Sequence, residues 1–126
     1  MPLRIVLAML EAPLPFGNAA ARWYYVLLRE LVARGHRVTA LAACSKAKEM
    51  DDAKALFPAP EYDLSVFPFP ARGGLAAKLA TVRRPFSYHF GPDFRAALDR
   101  AVAAGCDVLH LEQLWTGWAA LAYPDK

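Results

Sequence analysis

No stretch of this sequence reaches the roughly 18 uninterrupted apolar residues that a membrane-spanning helix needs. The best candidate, Leu3 to Leu10, contains Arg4 and stops at Glu11. It is also too short for a secretory leader, and Pro13-Leu14-Pro15-Phe16 makes a poor cleavage site. Cysteine is scarce, with Cys44 and Cys106 alone. Both fit a reduced, cytoplasmic setting. Two glycine-rich phosphate signatures are missing as well. There is no G-x-G-x-x-G, which speaks against a dinucleotide cofactor, and no Gly-Lys-Ser/Thr, which excludes a P-loop. The 15 basic residues are scattered and form no stripe that could track a nucleic-acid backbone.

What is present is apolar. Hydrophobic residues make up 56% of the 126 positions, above the usual share for a soluble domain. Parallel strands buried on both faces explain such an excess. So would a domain deprived of a covering partner. The net charge of +3 is a mild bias toward anions such as phosphates or acidic lipid headgroups.

The order of elements reads directly from periodicity. Arg4 to Met9 is a short apolar run, a buried first strand. Residues 11–18 hold two prolines, Gly17 and Asn18, and form a loop. Ala20, Trp23, Tyr24, Leu27, Leu28 and Leu31 then recur at helical spacing and predict one apolar face. Asn18 is placed to cap that helix and Gly35 to end it. Arg37 to Ala43 is a second strand, completing a βαβ unit. A helix over 46–57, a strand over 62–67 and a short helix over 75–82 follow, the last broken at Arg83-Arg84-Pro85-Phe86. Pro92 opens another helical stripe of Phe94, Ala97, Leu98, Ala101 and Val102, closed by Gly105. Asp107 to Leu111 is a fourth strand, and a helix starts over 115–123.

Alternating strands and helices predict an α/β fold: an open, doubly wound parallel sheet, Rossmann-like, with strand order 3-2-1-4. Cys44 and Cys106 are expected at opposite edges of it, too far apart to bond. Leu114, Trp115, Trp118, Leu121 and Tyr123 would leave an apolar patch after the fourth strand and favour self-association.

In such sheets ligands bind beyond the carboxyl ends of the strands. Two loops there carry chemistry. Gly17-Asn18 precedes a helix N-terminus, where small residues and the helix dipole suit a phosphate. The same residues serve equally as a plain βα turn. His110, Glu112 and Gln113 sit at the end of the fourth strand, and His110 and Glu112, two apart, share a face. A carboxylate there could accept hydrogen bonds from sugar hydroxyls or move a proton. A core histidine beside a solvated strand end would look the same. The second strand ends Ala42-Ala43-Cys44-Ser45, without the acid that grips a dinucleotide ribose. That weighs against an oxidoreductase domain, and Glu11 alone is a poor match to the acid cluster of a receiver-like regulatory domain. Trp115, Trp118 and Tyr123 read as core, and Tyr88-His89-Phe90 as an exposed loop that could meet an acceptor.

The runs Pro13 to Arg22, Leu27 to Thr39 and Asp107 to Glu112 together resemble the opening of the GT-B-fold retaining glycosyltransferases of family 4. The resemblance covers most of the chain and is thinnest in its middle. It implies an acceptor-side amino-terminal domain over 1–126. The nucleotide-sugar donor would be held mainly by a carboxyl-terminal domain lying outside these residues. The implied partners are a nucleotide-sugar and a glycan or lipid-linked acceptor, with peripheral contact at the inner face of a membrane. It marks His110 and Glu112 as catalytic positions and Gly17, Asn18 and Arg22 as substrate- or phosphate-binding ones. Two departures stand out: Asn18 replaces the family's usual second glycine, and Glu112 stands where histidine is common. The expectation is a truncated enzyme, inactive by itself, with no cofactor or metal.

Overall fold

The computed structural model describes residues 1–71, 73–83 and 89–126. Four strands, β1 (Arg4–Met9), β2 (Arg37–Cys44), β3 (Asp63–Pro68) and β4 (Val108–Leu111), form one sheet in the order β3-β2-β1-β4. Every pairing is parallel. The expected fold class and strand order are both observed: an open, Rossmann-like α/β sheet with helices on its two faces.

The strands are legible because they are buried on both sides. Residues Ile5 to Met9 alternate between two cores. Ile5, Leu7 and Met9 pack with α1 (Ala19–Ala33) and α2 (Ala47–Leu56) on one face. Val6 and Ala8 pack with α4 (Pro92–Ala103) and α5 (Trp118–Ala122) on the other. Side chains alternate across a strand, so a central strand must be apolar throughout. Helix α3 (Gly74–Arg83) contributes no buried residue to either core.

Helix ends follow the local chemistry. The Asn18 side chain accepts a hydrogen bond from the Ala21 amide at 2.9 Å and caps α1. Gly35, at φ +82°, takes the left-handed turn that leads α1 into β2. Pro92 occupies the first turn of α4.

Four expectations change. The final helix is split: a 3₁₀ turn over Leu114–Thr116 is followed by the short α5, with Gly117 between them. The cysteines are free and buried, but not at opposite edges, because β2 is an inner strand. They lie instead at opposite ends of their strands and in opposite cores, Cys44 on the α1 side and Cys106 on the α4 side. Of the expected apolar patch only Leu114 and Leu121 are exposed; Trp115, Trp118 and Tyr123 pack against the α4-side core, the core role expected of those aromatics. Phe90 is buried in that core too and is no part of an exposed loop. Arg84 and Tyr88, like the expected break after Arg83, lie outside the described residues.

Candidate functional site

Leu7 on β1 is the register partner of His110 on β4. Leu7 belongs to the core beneath α1, so His110, and Glu112 two residues on, are turned to the α1 face. This places them where β1 and β4 part company in chain order, the switch point at which open α/β sheets bind ligands.

The two side chains meet. His110 Nε2 lies 2.7 Å from Glu112 Oε1. The indole N–H of Trp23, on α1, donates to the same oxygen at 3.2 Å. Oε1 therefore accepts the indole N–H and faces the His110 nitrogen, while Oε2 meets neither. Glu112 is held, not solvated: its side chain is 13% exposed against 39% for His110. Its amide is tied to the Ala8 carbonyl at 3.0 Å, extending the β1–β4 ladder by one step.

Beside this pair lies Tyr24, 1% exposed. Its hydroxyl is buried and has no hydrogen-bond partner among the described residues. Burial pushes its pKa well above the ordinary tyrosine range, with the charges of Glu112 and Glu11 adding to the effect. Gln113 approaches closely enough to oppose the shift without completing a bond of good geometry. Leaving a hydroxyl dry and unpaired costs stability.

The turn that follows is strained. Gln113 has φ +67° and ψ 162°, a region populated almost solely by glycine. Thr116, itself buried, fastens the turn by donating from Oγ1 toward the carbonyls of Glu112 and Gln113, at 2.8 and 3.0 Å. Strained residues of this kind gather at functional sites.

The first loop is arranged differently from the phosphate cradle that its sequence suggests. The positive φ falls on Gly17 (+94°), while Asn18 is extended. Asn18 is engaged at both ends: Oδ1 caps the helix and Nδ2 donates to Glu11 Oε1 at 3.1 Å. Glu11 therefore brings an anion close to the positive end of α1 and lowers the potential open to a phosphate. Ala12, Pro13 and Leu14, in the first half of this loop, are buried. Arg22 is exposed and forms no ion pair among the described residues.

Trp23 was expected in the apolar stripe of α1. It is mostly exposed, and its indole serves Glu112. Helical spacing could not show this, because β4 is an edge strand and α1 overhangs it. At the end of β2 the fold does bring up an acid from α2: Glu49 accepts from the Cys44 thiol at 3.5 Å. Lys46 already pairs with it at 2.9 Å and holds its carboxyl below the usual range. No group of three or more metal-ligating side chains occurs among the described residues.

No family model, curated protein or solved structure matches this chain.

Proposed function

We propose that this domain is the acceptor side of a glycosyltransferase that moves a sugar, with retention, from a nucleotide-sugar to a hydroxyl-bearing acceptor. The observation that carries the reading is the Trp23–Glu112–His110 cluster, set beside the unpaired Tyr24 hydroxyl at the carboxyl ends of β1 and β4. A sugar offers what these groups lack. Its hydroxyls can donate to Oε2 of Glu112, and the exposed indole of Trp23 gives a flat apolar surface for a pyranose face. The resemblance of the Pro13–Arg22 and Asp107–Glu112 runs to family 4 glycosyltransferases supports the same reading.

Within it, Glu112 is the residue that touches the reacting hydroxyl, fixed by Trp23 and His110. Gly17 and Asn18 shape the rim of the crevice, and the exposed Arg22 on α1 supplies a cation for the donor's phosphate. The nucleotide is held mainly by a second domain. Glu112→Gln keeps the shape of the side chain and removes its charge. In the protein carrying both domains, this change is expected to lower transfer about a hundredfold, roughly 3 kcal/mol of barrier. Turnover within about threefold of wild type, in a folded variant, would remove Glu112 from the chemistry.

A further inference from the structure

The amino ends of β1 and β2 carry an arginine pair that the crevice does not use. Arg4 and Arg37 are register partners on neighbouring parallel strands, which run about 4.8 Å apart. Ile5 and Val38 belong to the core on the α1 side, so strand alternation turns both arginines to the α4 side. There they edge a hollow of about 220 Å³, lined by the buried Val6 and Cys106 and kept open by the small residues Ala101 and Gly105.

Neither guanidinium is matched. Asp107 Oδ2 stands 3.9 Å from Arg4 Nε and takes its hydrogen bond from the Arg4 backbone amide, at 2.8 Å. Arg37 forms no ion pair among the described residues. The acid on the next strand, Asp63, accepts instead from the Thr39 hydroxyl at 2.7 Å. The Arg4 head lies so close over Gly105 that a Cβ there would stand 2.9 Å from a guanidinium nitrogen. The carbonyl end of α4 offsets about half of one charge. Two forks of N–H donors remain, with one misplaced acid between them.

We infer that this hollow binds a phosphate group, free or as a small phosphomonoester, clasped between Arg4 and Arg37. Two guanidinium forks reaching from two strands suit a tetrahedral dianion, whose oxygens can accept from both at once. A carboxylate has only two oxygens and fills one fork. The site lies at the opposite end of the sheet from the His110–Glu112 pair, so it is separate from the donor's phosphate in the glycosyl-transfer reading and does not depend on it. A ligand held here ties β1 to β2 and to the Gly105 turn that leads α4 into β4.

Titration with inorganic phosphate at constant ionic strength tests it, followed by the Gly105 amide in a proton–nitrogen correlation spectrum. The Gly105 signal is expected to shift saturably, and acetate should bind at least about tenfold more weakly. Arg4→Gln and Arg37→Gln should each weaken phosphate binding about tenfold or more while the melting temperature of the free protein holds. Arg37→Lys keeps the charge without the fork and should also lose most of the affinity. Lys54→Gln, which removes an exposed cation on α2, should leave binding as it was. Methyl phosphate is titrated alongside: tighter binding of the ester assigns the site to a phosphomonoester, and equal or weaker binding assigns it to the free ion. No saturable shift, acetate binding as tightly as phosphate, or full binding by Arg37→Gln would overturn the proposal. So would loss of the Gly105 shift in Arg22→Gln, which would move the phosphate to the α1 N-terminus.

Discussion

His110 and Glu112 are joined Nε2 to Oε1 at 2.7 Å, and the same carboxylate oxygen accepts the indole N–H of Trp23. An edge strand and a helix are thus tied through one carboxylate at the open end of the sheet. Around it the protein tolerates two local faults, the dry hydroxyl of Tyr24 and the strained backbone of Gln113. Faults of this sort raise the energy of the free protein and persist where a ligand repays them.

Tyr24→Phe removes the unpaired hydroxyl and keeps the ring. Folding should be unharmed or improved, by up to about 1 kcal/mol, because no bond is lost and a buried polar group disappears. Thermal melting measures it. A loss of several degrees would mean that the hydroxyl is in fact paired.

Gln113→Gly relieves the φ +67° conformation. A gain of about 1 kcal/mol is expected, offset in part by the greater chain entropy of glycine when unfolded. Gln113→Ala keeps the strain and should bring no gain. Urea melts of the two variants decide this, and equal stability would argue that no strain is stored there.

Asn18→Ala removes both the α1 cap and the Glu11 contact and should cost about 1 kcal/mol, whereas Asn18→Gly should cost only a few tenths. If Asn18 works as a cap, melting will separate the two variants in that order. If both leave stability untouched, the residue is free for ligand and the cap is unimportant.

Alkaline pH should destabilise the fold. Burial raises the Cys44 thiol and the Tyr24 phenol, and burial with the Asp99 contact pushes Tyr123 up to about 12. In each case the folded state keeps a proton that the unfolded chain releases above about pH 8.5 for cysteine and about 10 for tyrosine. The stability from these groups is therefore complete below those values and is lost as pH climbs toward the folded ones. Melting temperature should fall steadily from pH 8 upward, and the Tyr24→Phe, Tyr123→Phe double variant should flatten the decline above about pH 10. The same burial makes Cys44 slow to alkylate until denaturant is added.

Most of the fold was legible. Leu7, Ala8 and Met9, or Ala40 to Ala43, have no polar side to show, and that continuity marks a central parallel strand. Asn18, Gly35 and Pro92 announced helix ends through chemistry that acts over a few residues. The shared face of His110 and Glu112 followed from strand alternation. The rest of the site depends on contacts distant in sequence. Trp23 reaches Glu112 across 89 positions, and no periodicity tells a core residue from one that overhangs a sheet edge. Gln113 takes a glycine conformation without being glycine, because the Thr116 hydroxyl and the β1 ladder hold its turn in place. Glu11 lies seven residues from Asn18, yet only the folded loop makes it the partner that crowds the α1 N-terminus.

The most direct test of the sugar-binding crevice is the indole N–H resonance of Trp23 in a proton–nitrogen correlation spectrum, identified by its loss in Trp23→Phe. That proton is donated to Glu112, so any ligand engaging the carboxylate must move it. On titration with a panel of glycosides and nucleotide-sugars, the Trp23 signal is expected to shift saturably with at least one of them. The indole of Trp118, packed in the opposite core, should stay still. The Trp23 shift should shrink strongly in Glu112→Gln. A Trp23 resonance unmoved by every sugar, or one that moves equally in the Glu112→Gln protein, would contradict the assignment of this crevice to sugar binding.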